Sequence, residues 1–593
     1  MKKYILILLS VVFALESCDY LDEVLDKEPQ DQFTNDNFWT SETNVQTFAN
    51  YFYNEFTGYG NGGASASFYF NTRNDDQASN GFTQWAYKQA PATNGSWSSP
   101  YSDLRRANLL IEKIPGIESM DETAKNHWMG VARLYRAMQH YYLIRSFGDI
   151  VYVDKVLDVT DEDKKLYLFG ERMDRDLAMD KVLEDLNYAV ANISKFSDSR
   201  TAINNAVANA IKADICLYEG TFCKYRTAAV NGKAADDSRA LLYLTECKNA
   251  CEVIMNNPMY TLSSSYRGNY TSLDLSTNKE MIMYKHYVQD GFSHCVANYT
   301  CTSTIQSGLS KAAFDAYLFT DGKPKATTTK VNTDIPVYNP TTKDLEISTL
   351  LAVRDPRLGM TIDPVLMYTG NGYERFASGM ETTSSTGYGI LKFDTDAMEP
   401  SYRVTTKNFT DAPVYWLAVI YLNYAEACAE LGDDPNVFLP KSINKLRNRT
   451  GVKMPAMEAN PAADPANNTD VRAGEAATTK VSNLIWEIRR ERRVELMLDN
   501  NDRYWSLIRW HQLDKLDPTV YPDQVLGAHI GTLDTKATCR KTSDGYIDCS
   551  TTDPGNNRIY DPKHYLQPVP TDQILLYENA GYTLTQNPGW GTE

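Results

Sequence analysis

The sequence predicts a mostly α fold, a scaffold of tetratricopeptide-like helix pairs carrying a loop-rich, irregular α+β half. Three observations predict it. Apolar residues recur at helical spacing from about Leu104 to Met255. The stripes stop between about Asn256 and Asp411, where turn residues, Thr, Tyr and short apolar runs take over. They return between Val414 and Leu498.

The first element is an address. Lys2 and Lys3 precede an apolar run from Tyr4 to Leu15, too short to span a bilayer and fitting a signal-peptide core over residues 1–17. Leu15-Glu16-Ser17-Cys18 follows and resembles a bacterial lipobox, with Glu16 where a small residue is usual. Cys18 is therefore the expected lipidation site, and two or more acyl chains would anchor the protein stably to a membrane. Residues 18–35, with Asp19, Asp22, Glu23 and Asp26, read as an acidic tether.

An N-terminal helical region is expected over 36–255. Val131, Leu134, Tyr135, Met138, Tyr141 and Tyr142 keep one helical stripe. Asp176 to Ile193 and the Ala-rich Ala202 to Tyr225 behave alike, and Ala both favours helix and lets helices approach closely. Residues 256–593 form the second region: a loop-rich binding part over 256–411, then returning helices and C-terminal loops over 412–593. Helix is expected over Val414–Gly432, Leu439–Arg449 and Ser482–Leu498. Polar loops are expected over Gly58–Gly63, Lys323–Lys343 and Met454–Lys480, and a hairpin-bearing loop over Tyr521–Pro562. On the 482–498 helix, Arg489, Arg490, Arg492 and Arg493 interleave with Glu487, Glu491 and Glu495, which predicts i,i+4 pairing and internal ion pairs that lock the helix into the scaffold rather than a polyanion site. Beyond Cys18 nine cysteines remain; Cys539 with Cys549, and Cys295 with Cys301, are spaced for small disulfide loops in an exported chain.

Bulk properties exclude some partners. The net charge of −17 argues against nucleic acid and against attachment to anionic lipid through basic residues. The 39 Tyr, 20 Phe and 9 Trp supply rings for a core and for flat, partly wet recognition.

Several blocks, in order, resemble the SusD/RagB family. They include DNFWTSE (36–42), SWSSPYSDLRRANLLIEKI (96–114), GVARLYRAMQHYYLIRSFGD (130–149), RDPRL (354–358) and YGILKFD (388–394). VYWLAVIYLNYAEACAELG (414–432), INKLRNRTGV (443–452), IWEIRRERRVELMLDNNDRYWSLIRW (485–510) and YLQPVPTDQILLYENAGYTLTQNPGW (565–590) complete the series. Trp39, Trp97, Trp505 and Trp590 sit within these blocks and read as structural. The resemblance implies a non-catalytic lipoprotein of the outer membrane, facing the cell surface. It would capture oligosaccharide or polysaccharide and close as a lid over a SusC-like TonB-dependent barrel. A peptide-binding importer subunit of RagB type, a surface glycoside-active enzyme and an adhesin are the alternatives.

Ligand residues are chosen by chemistry, because sugars stack on rings and take hydrogen bonds from planar polar groups. Residues 70–89 offer Arg73, Asp75, Asp76, Asn80, Trp85 and Tyr87. Residues 283–299 offer Tyr284, His286, Tyr287, Asp290, Phe292, His294 and Tyr299. Tyr373, Glu374 and Arg375 follow a Gly-rich turn as a third candidate. For each Tyr the competing reading is packing. No cofactor is expected; a structural calcium at Asp75-Asp76 is a minor alternative without EF-hand spacing. No G-x-S-x-G, H-E-x-x-H or P-loop occurs and the seven His are scattered, so no catalytic residue is assigned.

Overall fold

The computed structural model describes residues 38–68, 73–79, 85–157, 168–300, 307–342, 344–368, 373–374, 381–382, 384–403, 406–467, 480–499, 502–531 and 539–591. Cys18, Cys301 and Arg375 lie outside the described residues. No helix among the described residues is long and apolar enough to cross a membrane.

The scaffold is a run of long helices: α1 (Glu42–Ala49), α2 (Gly95–Lys113), α3 (Glu122–Phe147), α4 (Arg175–Asn192), α5 (Asn205–Tyr225) and α6 (Asp237–Met255). An Asn or Asp opens each from α2 to α6. The Asp121 carboxylate accepts from Ala124 N at 2.7 Å, Asn204 from Val207 N at 3.0 Å and Asp236 from Arg239 N at 2.9 Å. Such caps satisfy N–H groups that the first helical turn leaves without partners. Helices α2 to α6 each pack on the next, as expected of a tetratricopeptide-like scaffold. Small residues set the closest approach: a Cβ on Gly220 of α5 would stand 2.7 Å from Leu244 Cγ of α6 and 3.0 Å from its backbone nitrogen.

The chain then leaves the scaffold for short helices and two-stranded ladders. Strand β1 (Gln77–Ala78) pairs antiparallel with β3 (Gly308–Leu309), and β2 (Met281–Lys285) with β8 (Ala412–Trp416). The ladders β4 (Val337–Tyr338) with β5 (Leu345–Glu346), and β6 (Tyr373–Glu374) with β7 (Glu381–Thr382), lie between. Helix α7 (Leu417–Leu431) returns the chain to the scaffold against α5 and α6. Here the expected helix start is corrected. Val414 to Trp416 belong to β8, because the Met281–Lys285 edge supplies ladder partners and β-branched and aromatic residues suit a pleated surface. The expected 439–449 helix narrows to a 3₁₀ turn (Leu439–Lys441) and α8 (Ile443–Arg447). Then come α9 (Asn483–Glu495), α10 (Asp502–Arg509), the hairpin of β9 (Leu526–His529) with β10 (Tyr546–Asp548), and α11 (Thr571–Asn579).

Buried apolar side chains from Trp39 to Leu584 form one connected core through both halves. Trp590 is pinned at the C-terminal turn, its indole N–H shared by Lys563 O at 3.2 Å and Leu566 O at 3.0 Å.

The charges of α9 lock the helix into the scaffold as expected, but not through i,i+4 pairs. The sole intrahelical pair among the described residues is Arg490 with Glu487, three residues apart. The rest reach across the molecule. Glu491 takes Arg357 and Arg447, each at 2.7 Å, and Glu495 takes Arg357 at 2.7 Å and Arg449 at 2.8 Å. Arg492 reaches Glu426 of α7 at 3.0 Å, which Arg509 also binds at 2.8 Å. The helix is a buried electrostatic hub joining α7, α8, α10 and the loop-rich half. The disulfide expectations are also corrected. Cys549 is a free thiol donating to Ser385 O at 3.1 Å. Cys295 is a free thiol donating to Gly63 O at 3.3 Å.

Candidate functional site

Residues 73–79 divide in two. Asn74 to Ser79 turn inward, and both oxygens of Asp75 accept from Arg503 at 2.7 Å. Asp76 accepts from Arg493 Nε at 2.6 Å. Burial opposes the ionised form of Asp75, yet Arg493 and Arg503 hold its carboxyl well below the usual range. Asp75 and Asp76 are thus not sugar-facing groups, and the calcium reading fails with them, because arginines occupy the oxygens a cation would need. Asp176, Glu219 and Cys223 also bring ligand atoms within 4.8 Å of one another. Arg175 binds Glu219 at 2.6 Å and Arg226 binds Asp176 at 2.7 Å, so this too is an ion-pair cluster.

Arg73 and Trp85 face the other way. Arg73 is exposed and close enough to Tyr504 to oppose the rise that burial imposes on its hydroxyl, which reaches about 12. Trp85 is half-buried and stacks on His564 with ring centroids 4.2 Å apart and planes 16° off parallel. Its indole N–H donates to Ile559 O at 2.8 Å. The ring is therefore fixed in orientation and offers a ligand surface rather than a hydrogen bond. Burial holds the His564 imidazole down at about 4, so it is neutral near pH 7.

Around this pair lies a shallow cleft of roughly 240 Å³ that also takes in Tyr87, Lys88, Asn557 and Asp561. The Asn557 side-chain oxygen is buried without a hydrogen-bond partner. Lys88 is braced by Asn556 Oδ1 at 2.7 Å. Asp561 is the one carboxylate among the described residues lining the cleft, whereas glycoside cleavage ordinarily uses two. The arrangement suits reversible binding: a fixed ring shelf flanked by planar amide, ammonium and carboxylate groups. His564, Asn557 and Asp561 went unnoticed in the sequence, since they stand more than 470 residues from Trp85 in a turn-rich stretch without periodicity.

The 284–299 residues gather elsewhere. Tyr284 and Tyr287 are core residues, contrary to expectation. The Tyr287 hydroxyl accepts from Gly60 N at 2.9 Å and donates to Gly60 O at 2.7 Å, locking the Gly58–Gly63 loop. The exposed His286 ring meets the buried Asp411 carboxylate at 2.9 Å, and the same oxygen takes Tyr287 N at 3.0 Å. Phe292 is 44% exposed and lies parallel on Tyr287 at 5.4 Å, with Lys285 Nζ 5.3 Å from its ring. Asp290 accepts from Tyr402 OH at 3.0 Å, and His294 is buried against Thr410 O. Tyr299 is half-buried in the short helix Val296–Thr300. Among the candidate residues of this segment, His286, Asp290 and Phe292 are thus the exposed ones.

Comparison with known proteins adds the lineage. Residues 251–590 match the family model described as "SusD family", and residues 19–217 match one described as "Starch-binding associating with outer membrane". A SusD-like protein of Bacteroides ovatus is 25% identical over 268 residues, covering 42% of this chain and 44% of that one. The chain thus aligns with less than half the length of the curated relatives it matches. Among solved structures, a SusD-like carbohydrate-binding protein of Bacteroides fragilis superposes with a TM-score of 0.66 at 18% identity, over 91% of this chain and 98% of that one. Another, solved with a xylogluco-oligosaccharide, gives a TM-score of 0.56 at 18% identity, over 90% and 96%.

Proposed function

The chain belongs to the SusD family, and from that premise we propose that it is a non-catalytic glycan-capturing lipoprotein of the outer membrane. Lipid on Cys18 would anchor it facing the cell surface. It would hand oligosaccharide to a SusC-like TonB-dependent barrel by moving as a rigid lid.

The observation that carries this reading is the Trp85 shelf. A ring held by a stacked neutral imidazole and a carbonyl hydrogen bond loses little freedom on meeting a ligand, so a flat sugar face is recognised at low entropic cost. Names borne by relatives support the ligand class: the Bacteroides fragilis neighbour is called carbohydrate binding, and another was solved with an oligosaccharide.

The test is a glycan array followed by calorimetry on the chain from Asp19 onward. Trp85→Ala is expected to weaken glycan binding at least about tenfold, roughly 1.4 kcal/mol, with the melting temperature unchanged and no new reducing ends released by the parent. Loss of fold in that variant would return Trp85 to the core. Turnover that one Asp or Glu substitution abolishes would overturn the non-catalytic reading.

A further inference from the structure

A second cleft, of roughly 520 Å³, opens between α9, α10 and the 510–524 segment. In a chain of net charge −17 it gathers five cations, Arg489, Arg490, Arg493, Arg503 and Lys515, against Asp75, Asp315 and Asp523. Most of these charges are already matched. Arg493 and Arg503 bind Asp75, Arg490 binds Asp464 and Glu487, and Lys311 bridges Asp315 at 3.0 Å and Asp523 at 2.8 Å.

One cation, Lys515, is left over, and a second, Arg489, is only partly matched. Lys515 makes no ion pair among the described residues; its ammonium stands 5.0 Å from the Trp486 ring and 5.8 Å from that of Tyr521. Arg489 is 3% exposed and sandwiched between Tyr225 at 4.7 Å and Trp510 at 4.6 Å. Its Nε and Nη1 have no partner, and its Nη2 reaches Glu430 at 3.3 Å. Glu430 is itself engaged by Lys224 at 2.8 Å and the Tyr225 hydroxyl. Buried donors left unsatisfied are costly. A cation–π contact offsets only part of what an ammonium loses on leaving water.

An anion entering this cleft would meet unpaired positive charge beside Trp486, Trp510 and Tyr521. A simple ion would use the charge and leave the rings idle. A sugar bearing an oxyanion uses both: its acidic group meets Lys515, and its C–H face lies on an indole. The cleft is linked to the Trp85 shelf through the buried Arg558. Gln524, in its lining, accepts from Arg558 at 2.9 Å, and the next residue, Ile559, holds the Trp85 indole.

We infer that this cleft is a subsite for an acidic sugar, a uronate carboxylate or a sulfate ester, with Lys515 as the charge-reading residue. The inference rests on the glycan-capture reading and specifies its ligand. Burial pushes the Lys515 ammonium down to about 8 against the pull of Asp514, and Arg503 and Arg493 push the same way. A bound anion reverses that balance and raises it.

The experiment is calorimetry on the chain from Asp19 onward with four probes: an oligogalacturonate, a sulfated galacto-oligosaccharide, their neutral counterpart and inorganic sulfate. At least one acidic oligomer is expected to bind ten times more tightly than the neutral one. Lys515→Met, which keeps the stem over Trp486, is expected to erase that preference, while Trp85→Ala weakens acidic and neutral sugars alike. The lysine titration followed by NMR is expected to shift upward on binding in the parent. Equal binding of neutral and acidic oligomers would overturn this inference and leave glycan capture standing. A preference that survives Lys515→Met, or inorganic sulfate binding as tightly as the acidic oligomer, would also overturn it. No binding of any saccharide would overturn both readings.

Discussion

At the scale of single residues, the molecule separates side chains that face solvent from side chains that hold the fold, and sequence proximity does not predict which is which. Arg73 and Asp75 are neighbours, yet Arg73 is exposed while Asp75 receives two hydrogen bonds from Arg503. Glu426 is the strongest case of the second kind. Its carboxylate takes Arg492, Arg509 and the Trp510 indole while fully enclosed. Glu426→Ala leaves the buried Arg509 guanidinium without its anion and Arg492 with Asp502 alone, and removing one partner of a buried pair costs about 3–5 kcal/mol. A urea midpoint shift of that size is the expected result; a shift below 1 kcal/mol would mean that water already screens the site. None of this was legible beforehand. Asp75 lies in a polar, turn-rich stretch, the usual setting of a ligand carboxylate, and its partner enters more than 400 residues later. Trp85 was singled out because a Trp outside every apolar stripe has few structural explanations, and the structure leaves it half-buried. Its companion His564 was not singled out, for want of any local pattern.

At the scale of elements, periodicity located the long helices and mistook what happens at their ends and on their charged faces. Helices α3 to α6 stand where the stripes put them, because burying one face of a helix imposes that spacing. Val414–Trp416 continues an apolar run, and only the Met281–Lys285 edge makes it a strand. The α9 charges fit an exposed i,i+4 lattice equally well on paper, but burial leaves the helix's carboxylates to be matched by arginines from distant segments. This hub predicts a pH profile. Burial opposes ionisation of Glu426 and Glu491, but Arg509 with Arg492, and Arg357 with Arg447, hold each at about 2, well below an ordinary glutamate. A depressed folded value means stability that is complete above the unfolded pKa of about 4.3 and is lost as pH falls toward 2, on the order of 3 kcal/mol for each group. Asp499 works in the opposite sense. Burial raises it to about 6 despite Lys392, so it gains its proton in the folded state first and adds stability as pH falls from 6 to about 4. Urea midpoints are therefore expected to be flat or slightly rising from pH 6 to 4.5 and to fall steeply below; a decline already under way at pH 6 would contradict the hub's role. The α5–α6 contact gives a second check. Gly220→Ala forces a methyl against the Leu244 backbone, and overpacking of this kind costs about 1–3 kcal/mol. A melting temperature equal to the parent's would show that the helices can part at no cost.

At the scale of the whole molecule, the described residues form a single connected core to which loops and exposed rings are attached, and the proposed anchor stands well before its first residue in sequence, Phe38. We therefore predict that anchoring and binding are independent. The Trp85 shelf, the Lys515 cleft and the α9 hub all draw on residues from Asp75 onward. The tether's acidic residues and the short apolar leader are read from the sequence alone. Cys18→Ser should consequently change location without changing chemistry. In fractionated cells the parent is expected in the outer membrane, where a large β-barrel should accompany it after mild detergent extraction. The variant is expected outside the membrane fraction and without that companion. Its affinity for the best glycan from the array should stay within about twofold of the parent, less than 0.5 kcal/mol. A Cys18→Ser protein still held in the membrane would place the anchor elsewhere, because one lost acylation site removes every acyl chain the lipobox supplies. A variant that is released but no longer binds glycan would instead mean that the N-terminal segment completes the site.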